Sequence, residues 1–377
     1  MPHATRAALP VRVALAMLAI GLLAGAAPGR TAAAETIRFG AILPLTGPAT
    51  VIGTQEKRGI ELAVDDMNAK GGVGGQKIEL VLEDNQAKPD LSVLSFNKLV
   101  DLQGVPVVFT GYSGPTLALA PLATRKKVLL VNCGAQADKL ATASPYLINT
   151  ISSTADEVGV MSKYLVSQGK KKAAVLWEND AAGIGGRDDF VEAFPKAGGE
   201  IVAQEPVQFG QTDFRPALLK LAASNPDVMY VVTTANQLNL AQQYKQLNLS
   251  FTVAGSSFFS DPPTIADPSS RGFIHTQVKI EAPAELAARF KVRYGDDMDF
   301  FAKQYYNGTT VVITALAKVL GDKKPASGEN LRQAVFDIGK FQGLIPMEFK
   351  SNTAKTGIII NVMRDGKDEL LTELSAD

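Results

Sequence analysis

The side chains that could perform acid–base or metal chemistry are few in this chain of 377 residues. Two histidines are present, His3 and His275, so a serine–histidine–aspartate or cysteine–histidine mechanism would have to use one of them. Cys133 is the single cysteine, which excludes an internal disulfide. A zinc site needs several histidine or cysteine ligands, so we expect no metal centre here.

Glycine-rich segments occur, but their spacing does not match the known phosphate-binding motifs. Segments 71–75 and 183–186 lack the G-x-G-x-x-G pattern, and no P-loop lysine pattern is present. Segment 111–114 only superficially resembles the G-x-S-x-G nucleophile elbow. Carboxylates are numerous, yet no spacing singles out a catalytic pair. We therefore predict a binding protein without cofactor or metal, rather than an enzyme.

The N-terminus has the three parts of a secretory signal peptide. Arg6 and Arg12 precede an apolar run of 15 residues from Val13 to Ala27, and small residues lead up to Ala34. A membrane anchor is the alternative, but the run is shorter than the ~20 apolar residues that span a bilayer. We expect export and cleavage after about Ala34.

The charge balance of the exported chain argues against polyanionic partners. Removing residues 1–34 takes away three arginines and no acid, which leaves 35 basic and 38 acidic residues and a net charge of −3. Neither nucleic acid nor an anionic membrane is an expected partner of such a surface. The exported chain is longer than a domain with a single hydrophobic core usually is, so two domains or lobes are expected.

Strand and helix patterns alternate along the chain in two successive runs. The first run predicts strands at 37–42, 78–82, 105–110 and 128–131, with helices at 53–69, 90–102 and 115–124. The second predicts strands at 173–177, 200–205, 228–232 and 252–254, with helices at 155–168, 186–197, 214–223 and 236–247. Helices at 284–294, 302–320 and 329–338 follow, with strands near 346–349 and 358–363. This alternation predicts an α/β fold of two Rossmann-like lobes with parallel central sheets.

Small and polar residues follow four of the predicted strands, at 111–114, 132–136, 178–183 and 255–258. In open parallel sheets, ligands bind outside the carboxyl ends of the strands. Ser113 precedes a helix predicted to open with Pro115, and a helix N-terminus suits a carboxylate. The alternative for Ser113 is that it only caps its helix.

Several segments, in order, resemble the leucine/isoleucine/valine-binding family of periplasmic solute-binding proteins, a type I periplasmic binding protein fold. The resemblance covers essentially the whole exported chain. It is carried by IRFG at 37–40, LTGP at 45–48, GIELA at 59–63, NAKGGV at 68–73, IELVLED at 78–84, Ser113-Gly114 with Ala118 and Pro121, and QTDF at 211–214.

This resemblance implies two lobes joined by three crossovers, near Ile151, Lys279 and Ser351. Lobe 1 would comprise residues 35–151 and 280–350, and lobe 2 residues 152–279 and 351–377. It also implies a monomeric receptor in the periplasm that closes around a small ligand by a hinge motion. The receptor would then deliver that ligand to the membrane permease of an ABC importer.

The resemblance also assigns roles within the cleft. In lobe 1, Ser113, Ala135 and Gln136 stand where the family holds a ligand carboxylate, with Gln136 replacing a common threonine. In lobe 2 the family uses an acid to hold an α-ammonium. The matching stretch here, 255–257, has no carboxylate before Asp261, although Asp180 could substitute.

These departures lead to the hypothesis of a ligand bulkier than valine, such as an aromatic or other organic acid, with an amino acid as the alternative. Tyr112, Phe258 and Phe259 could pack against it, or the two phenylalanines could be ordinary core residues. The candidate ligand-binding residues are Tyr112, Ser113, Gly114, Ala135, Gln136, Asp180, Ala182, Asn236, Ser256, Ser257 and Phe258. Two other functions stay open: a ligand-sensing module in signalling, and a secreted α/β enzyme that uses His275.

Overall fold

A computed structural model describes residues 36–374 of the chain. The signal peptide predicted for residues 1–34 lies outside the described residues. Apolar runs that are buried throughout form most of the central strands, as expected when helices cover both faces of a parallel sheet. Within the described range, no helix is both long and apolar enough to cross a membrane.

The first sheet has five parallel strands in the order β2-β1-β3-β4-β5. They are β1 (Ile37–Leu43), β2 (Ile78–Asp84), β3 (Val107–Thr110), β4 (Leu129–Asn132) and β5 (Leu147–Asn149). Its two faces are covered by apolar clusters that draw on the helices α1 (Thr50–Ala69), α2 (Pro89–Asn97), α3 (Ser113–Lys126), α10 (Phe300–Gly321) and α11 (Gly328–Ile338). We call this sheet and its helices lobe 1.

The second sheet has seven strands in the order β14-β13-β10-β9-β8-β6-β7. They are β6 (Lys172–Glu178), β7 (Glu200–Val207), β8 (Val228–Val232), β9 (Thr252–Gly255), β10 (Ile274–Val278), β13 (Ile358–Arg364) and β14 (Lys367–Leu374). Strands β6 to β10 are parallel, whereas β13 and β14 pair antiparallel at one side.

The helices of the second sheet complete what we call lobe 2. They are α4 (Thr154–Ser167), α5 (Ala181–Lys196), α6 (Arg215–Ala222), α7 (Gln237–Gln246) and the short α8 (Pro262–Ala266). Helix α9 (Ala284–Tyr294) packs beside α1 and α10. A two-stranded sheet joins β11 (Lys340–Phe341) to β12 (Met347–Glu348).

The predicted α/β class with two lobes and parallel central sheets is confirmed, and most elements lie within a few residues of their predicted bounds. Helix α5 begins at Ala181 rather than at 186, because Asp180 caps it. Strands β5, β10, β11 and β14 were not predicted. β5 has only three residues, and the described side chains of β14 are exposed or half-buried, which hides the usual apolar pattern. The exact lobe boundaries stay a prediction.

Helices α1 and α10 cross closely at Gly59, and this contact yields a stability prediction. A Cβ added at Gly59 would lie 2.3 Å from the backbone oxygen of Ala302. Since backbone cannot move as a side chain does, we expect Gly59→Ala to lower the free energy of unfolding by about 1–3 kcal/mol in urea denaturation. Gly321→Ala, in the same α10, meets nothing within 4 Å and should be neutral or stabilising. Equal stability of the two variants would contradict this account of the crossing.

Candidate functional site

Loops at the carboxyl ends of strands from both sheets meet between the lobes. The hydroxyl of Tyr112, which follows β3, donates to the backbone oxygen of Thr234, which follows β8, at 3.2 Å. The Tyr112 ring also lies 6.2 Å from the ring of Phe258, which follows β9. The predicted site loops of the two lobes are therefore in direct contact.

Tyr112 has a strained backbone at this contact. Its φ of 63° and ψ of 130° are rare for an aromatic residue, which has a Cβ to accommodate. Such outliers persist where the surroundings hold them, and they concentrate at ligand clamps and active sites. Tyr112 is 2% exposed and belongs to an apolar cluster with Ile52, Phe258 and Phe301.

Ser113 begins helix α3, two residues before the predicted start at Pro115. The residue in the cap position is Tyr112, and no side chain caps this helix, so the alternative that Ser113 is only a cap is wrong. Its Oγ instead accepts a hydrogen bond from the backbone N–H of Ala137 at 3.3 Å. The hydroxyl proton can still donate, and the N–H groups of Ser113 and Gly114 belong to the first helical turn.

Ala135 lies in the loop after β4, where the side chain of Asn132 holds it. The backbone N–H of Ala135 donates to Asn132 Oδ1 at 2.7 Å, and Asn132 Nδ2 donates to the backbone oxygen of Ala135 at 2.7 Å. Ala135 is 2% exposed. Its N–H is therefore used within the loop, so the carboxylate contact expected of that N–H is not available in this arrangement.

Gln136 bridges the two lobes. Its Nε2 donates to Glu157 Oε1 on α4 at 2.7 Å, and its Oε1 accepts from Ser257 Oγ at 2.8 Å. Glu157 is fully buried, and its Oε2 accepts from the N–H of Ser257 at 3.1 Å and from Thr276 Oγ1 at 2.8 Å. Burial raises the pKa of Glu157, although these hydrogen bonds partly oppose the shift.

Sequence reasoning missed Glu157 as the acid beside Ser256 and Ser257. The stretch 255–257 itself carries no carboxylate, but α4 supplies one from 100 positions earlier in the chain. The available signal was a glutamate next to Val158 on the buried face of a predicted helix. In the structure, protein donors occupy both oxygens of this carboxylate.

A second buried carboxylate, Glu178, ends β6. Its Oε2 accepts from the N–H of Thr234 at 2.6 Å and from Thr234 Oγ1 at 2.7 Å. Burial raises the pKa of Glu178 to about 7. Asp180 is half-buried and caps α5, with Oδ1 accepting from the N–H of Gly183 at 2.7 Å, and burial raises its pKa. Ala182, the second residue of that helix, is 6% exposed.

The remaining candidates occupy lobe 2 loops. Asn236 precedes α7 with a left-handed backbone and donates to the backbone oxygen of Gly210 at 2.9 Å. It lines a cavity of about 260 Å³ that also touches the start of α1. Ser256 and Phe258 are 2% and 5% exposed. Phe259 instead packs in the lobe 2 core, so for this residue the ordinary core alternative is correct.

His275 is buried in β10, where Nε2 lies 2.9 Å from Asp368 Oδ1 and Nδ1 lies 3.3 Å from Ser260 Oγ. This grouping has the residue types of a hydrolytic triad. The Ser260 hydroxyl, however, has a closer acceptor in Gln277 Oε1 at 3.1 Å, and Ser260 is itself 1% exposed. The arrangement fits a hydrogen-bonded strand contact better than an activated nucleophile. Residues 36–374 contain no group of three potential metal-ligating side chains.

Two α/β lobes whose strand-end loops meet between them define a type I periplasmic binding protein. The chain belongs to the periplasmic binding protein family, whose model matches residues 36–364. Membership of this family implies export to the periplasm, while cleavage near Ala34 stays a prediction.

Known proteins support this assignment. The chain is 27% identical over 359 residues to the Leu/Ile/Val-binding protein homolog 7 of Brucella suis biovar 1 (strain 1330). This alignment covers 86% of this chain and 87% of the Brucella protein. A solute-binding protein of an ABC transporter from Rhodopseudomonas palustris BisB5, solved with 3,4-dihydroxybenzoic acid, is 26% identical with a TM-score of 0.82 and covers 90% of this chain and 98% of its own. LivJ of Streptococcus pneumoniae, solved with isoleucine, shares the fold at 23% identity and a TM-score of 0.80, over 90% of this chain and all of its own.

Proposed function

We propose that this protein is a monomeric periplasmic receptor of an ABC importer that binds an aromatic or other organic acid between its lobes. The receptor closes around the acid and presents it to the membrane permease. The observation that carries the proposal is the position of Ser113 at the start of α3, directly beside the contact of Tyr112 with Phe258 between the lobes.

The start of α3 provides the hydrogen-bond donors for the ligand carboxylate. The N–H groups of the first turn have no partners within the helix, and the helix dipole favours a negative charge there. The Ser113 hydroxyl adds a donor, because its oxygen already accepts from Ala137 while its proton is not needed for that bond. Hydrogen bonds to a charged group are each worth about 1.5–3 kcal/mol.

The aromatic side chains provide the apolar part of the site. Tyr112, Phe258 and Phe301 form a chain of rings with centroids 6.2 Å apart at each step. Burying a ligand ring among them would remove roughly 150–250 Å² from water. At about 25 cal/mol per Å² this contributes roughly 4–6 kcal/mol, a large share of the ~8 kcal/mol that micromolar binding requires. Because the rings touch across the lobes, entry requires a hinge opening.

Two buried acids of the interlobe loops are not free to hold an ammonium group. Protein donors occupy the oxygens of Glu157 and Glu178, so an α-ammonium at either carboxylate would have to displace them. Glu56 on α1, beside Gly111, and Asp261, which caps α8, each keep one buried oxygen without a partner among the described residues, so they are the acids that an ammonium would use in the alternative. The similarity to the protein solved with 3,4-dihydroxybenzoic acid supports an organic acid. The name of the Brucella relative favours the alternative, a branched-chain amino acid.

A thermal-shift screen of the exported chain tests the ligand class. We expect benzoate, 3,4-dihydroxybenzoate or an aliphatic acid to raise the melting temperature, whereas leucine, isoleucine and valine leave it unchanged. A ligand at 100 times its dissociation constant adds ~2.7 kcal/mol of stability. If only the three amino acids stabilise the protein, the organic-acid proposal is wrong.

Replacing Ser113 by alanine should raise the dissociation constant of the acid found in that screen about tenfold or more, because a hydrogen-bond donor to the ligand carboxylate is lost. Isothermal titration measures the dissociation constant. Ser162→Ala is the matched control, since Ser162 is equally buried, lies on α4 and has no hydrogen-bond partner for its Oγ among the described residues. Unchanged affinity in Ser113→Ala would remove Ser113 from the site.

A further inference from the structure

The carboxyl group of Glu56, on α1, lies beneath the two lobe 1 loops that follow β3 and β4. Each loop contains a glycine at the point of contact. A Cβ added at Gly111 would lie 2.8 Å from Glu56 Oε1, and a Cβ added at Gly134 would lie 3.0 Å from the same oxygen. Gly111 is two positions before Ser113, and Gly134 directly precedes Ala135. The carboxyl group therefore lies behind the loops that carry the proposed donors for the ligand carboxylate.

The contacts of Tyr305 indicate that Glu56 carries a proton. Glu56 is 1% exposed, and it forms a hydrogen bond with the hydroxyl of Tyr305 on α10. That hydroxyl has one proton, which it donates to the backbone oxygen of Thr110 at 3.0 Å. Because a backbone oxygen can only accept, the proton between Glu56 and Tyr305 has to come from the carboxyl group. Burial acts in the same direction, since it raises the pKa of Glu56 to about 8.

The titratable groups that act on Glu56 carry no positive charge. They are Asp299 and Tyr305 on α10, Tyr112 after β3 and Cys133 after β4. Burial raises the pKa of the Cys133 thiol to about 12, and it raises the pKa values of both tyrosines well above their usual range. These three side chains therefore stay neutral while Glu56 titrates.

Asp299 is the neighbour that ionises before Glu56. Burial raises the pKa of Asp299 to about 7, although the N–H of Ala302 and the charges of Lys303 and Arg58 lower it in part. The negative charge of Asp299 then opposes the ionisation of Glu56. Glu56 consequently stays neutral at pH 7 and loses its proton at a higher pH.

The charge of Glu56 acts on the same loops that would hold a ligand. With Glu56 neutral, the N–H groups at the start of α3 attract an anion, whereas an ionised Glu56 places a buried negative charge behind them. We propose that Glu56 is a specificity-determining residue of the acid site: in its protonated form it admits a ligand carboxylate, and in its ionised form it rejects the carboxylate and suits an ammonium group. This inference rests on the proposed function for the position of the carboxylate.

Isothermal titration of the exported chain with benzoate at pH 7.5, 8, 8.5 and 9 tests this role. The affinity should fall about three- to tenfold across the range, because Glu56 loses its proton while benzoate stays an anion. Glu178 and Asp299, whose raised pKa values are about 7, are already mostly ionised at the lowest of these pH values.

Glu56→Gln should remove this pH dependence. Its amide is similar in size, stays neutral and can donate to Tyr305 as the protonated carboxyl group does. Glu61→Gln is the matched control, since Glu61 lies half-buried on the same helix and pairs with Lys57 at 3.5 Å. This control should keep the pH dependence of the parent chain.

Leucine separates a failure of this inference from a failure of the proposed function. If leucine binds and benzoate does not, the organic-acid proposal is wrong. Glu56 then keeps its role if leucine binds more tightly as the pH rises from 7.5 to 8.5 and Glu56→Gln removes the increase.

Infrared difference spectra of the ligand-free parent chain against Glu56→Gln provide a measurement that needs no ligand. At pH 7.5 they should show the C=O stretch of a protonated carboxyl group. The inference is overturned if this band is absent, if neither ligand shows a pH-dependent affinity, or if Glu56→Gln leaves that dependence unchanged.

Discussion

Replacing Glu157 by leucine is expected to lower the free energy of unfolding by about 3–5 kcal/mol. This fully buried carboxylate accepts hydrogen bonds from Gln136, Ser257 and Thr276. The substitution leaves these donors buried without an acceptor, and removing one partner of a buried polar network costs the desolvation of the groups that remain. Because Gln136 belongs to lobe 1 and the other groups to lobe 2, the loss also weakens the contact that joins the lobes.

Urea denaturation of the exported chain measures this change. Glu192→Leu is the control, since Glu192 lies exposed on α5 and forms an exposed pair with Lys196, so its loss should change stability by less than about 0.5 kcal/mol. Glu157→Gln should fall between the two, because it keeps one acceptor oxygen. A loss below about 1 kcal/mol for Glu157→Leu would show that the network does not stabilise the fold.

The folded protein is expected to become more stable as the pH falls from about 8 to about 5. Burial raises the pKa of Glu56 to about 8 and that of Glu178 to about 7. In this range the folded state keeps protons that the unfolded chain releases, so stability falls as the pH rises. The stabilisation that each of these carboxyls gives to the folded state is complete below the ordinary carboxyl pKa, and it is lost as the pH rises through the raised pKa of the folded state. Each such group contributes on the order of 1.4 kcal/mol per pH unit within its window.

Urea titrations at pH 5, 6, 7 and 8 measure this slope. Glu56→Gln removes one titrating group, so the variant should show a shallower dependence than the parent chain. Asp66 provides a contrast, because its ion pair with Arg289 and its bond from Tyr306 lower its pKa, which keeps its titration below this range. Stability that increases from pH 5 to pH 8 would contradict the proposed protonation of the buried acids.

The fold class could be predicted from the sequence because the central strands are buried on both faces and therefore form continuous apolar runs. Val228–Val232 is buried at every position, so its apolar run marks a strand without further information. The unpredicted strands lack a buried apolar run of this length. The described residues of β14, at the end of the second sheet, are all exposed or half-buried, and β10 contains the polar residues His275, Thr276 and Gln277. Pairing with β13, rather than composition, makes these segments strands.

The positions of the site loops could also be predicted from the sequence. Parallel strands end at one edge of their sheet, so the small and polar residues after β3 and β4 were expected at one edge and those after β6 and β9 at the corresponding edge of the second sheet. The family resemblance then placed both edges at one cleft. The hydrogen-bond partners of the polar groups in these loops could not be predicted from the order of the strands. Ala135 gives its N–H to Asn132, and Gln136 reaches Glu157 and Ser257 in the other lobe.

The sequence alone determined that this is an α/β protein of two lobes, and it indicated which loops carry the candidate site. Tertiary structure alone decided which carboxylates lie there and which of their oxygens are used. Nothing in the local sequence distinguishes Glu157 from other acids on helices. The packing of α4 brings its carboxylate to the N–H of Ser257, 100 positions further along the chain, and to the amide of Gln136 in the other lobe. Strand and helix patterns follow from local periodicity, whereas a buried polar atom takes its partner from whatever distant segment the packing brings to it.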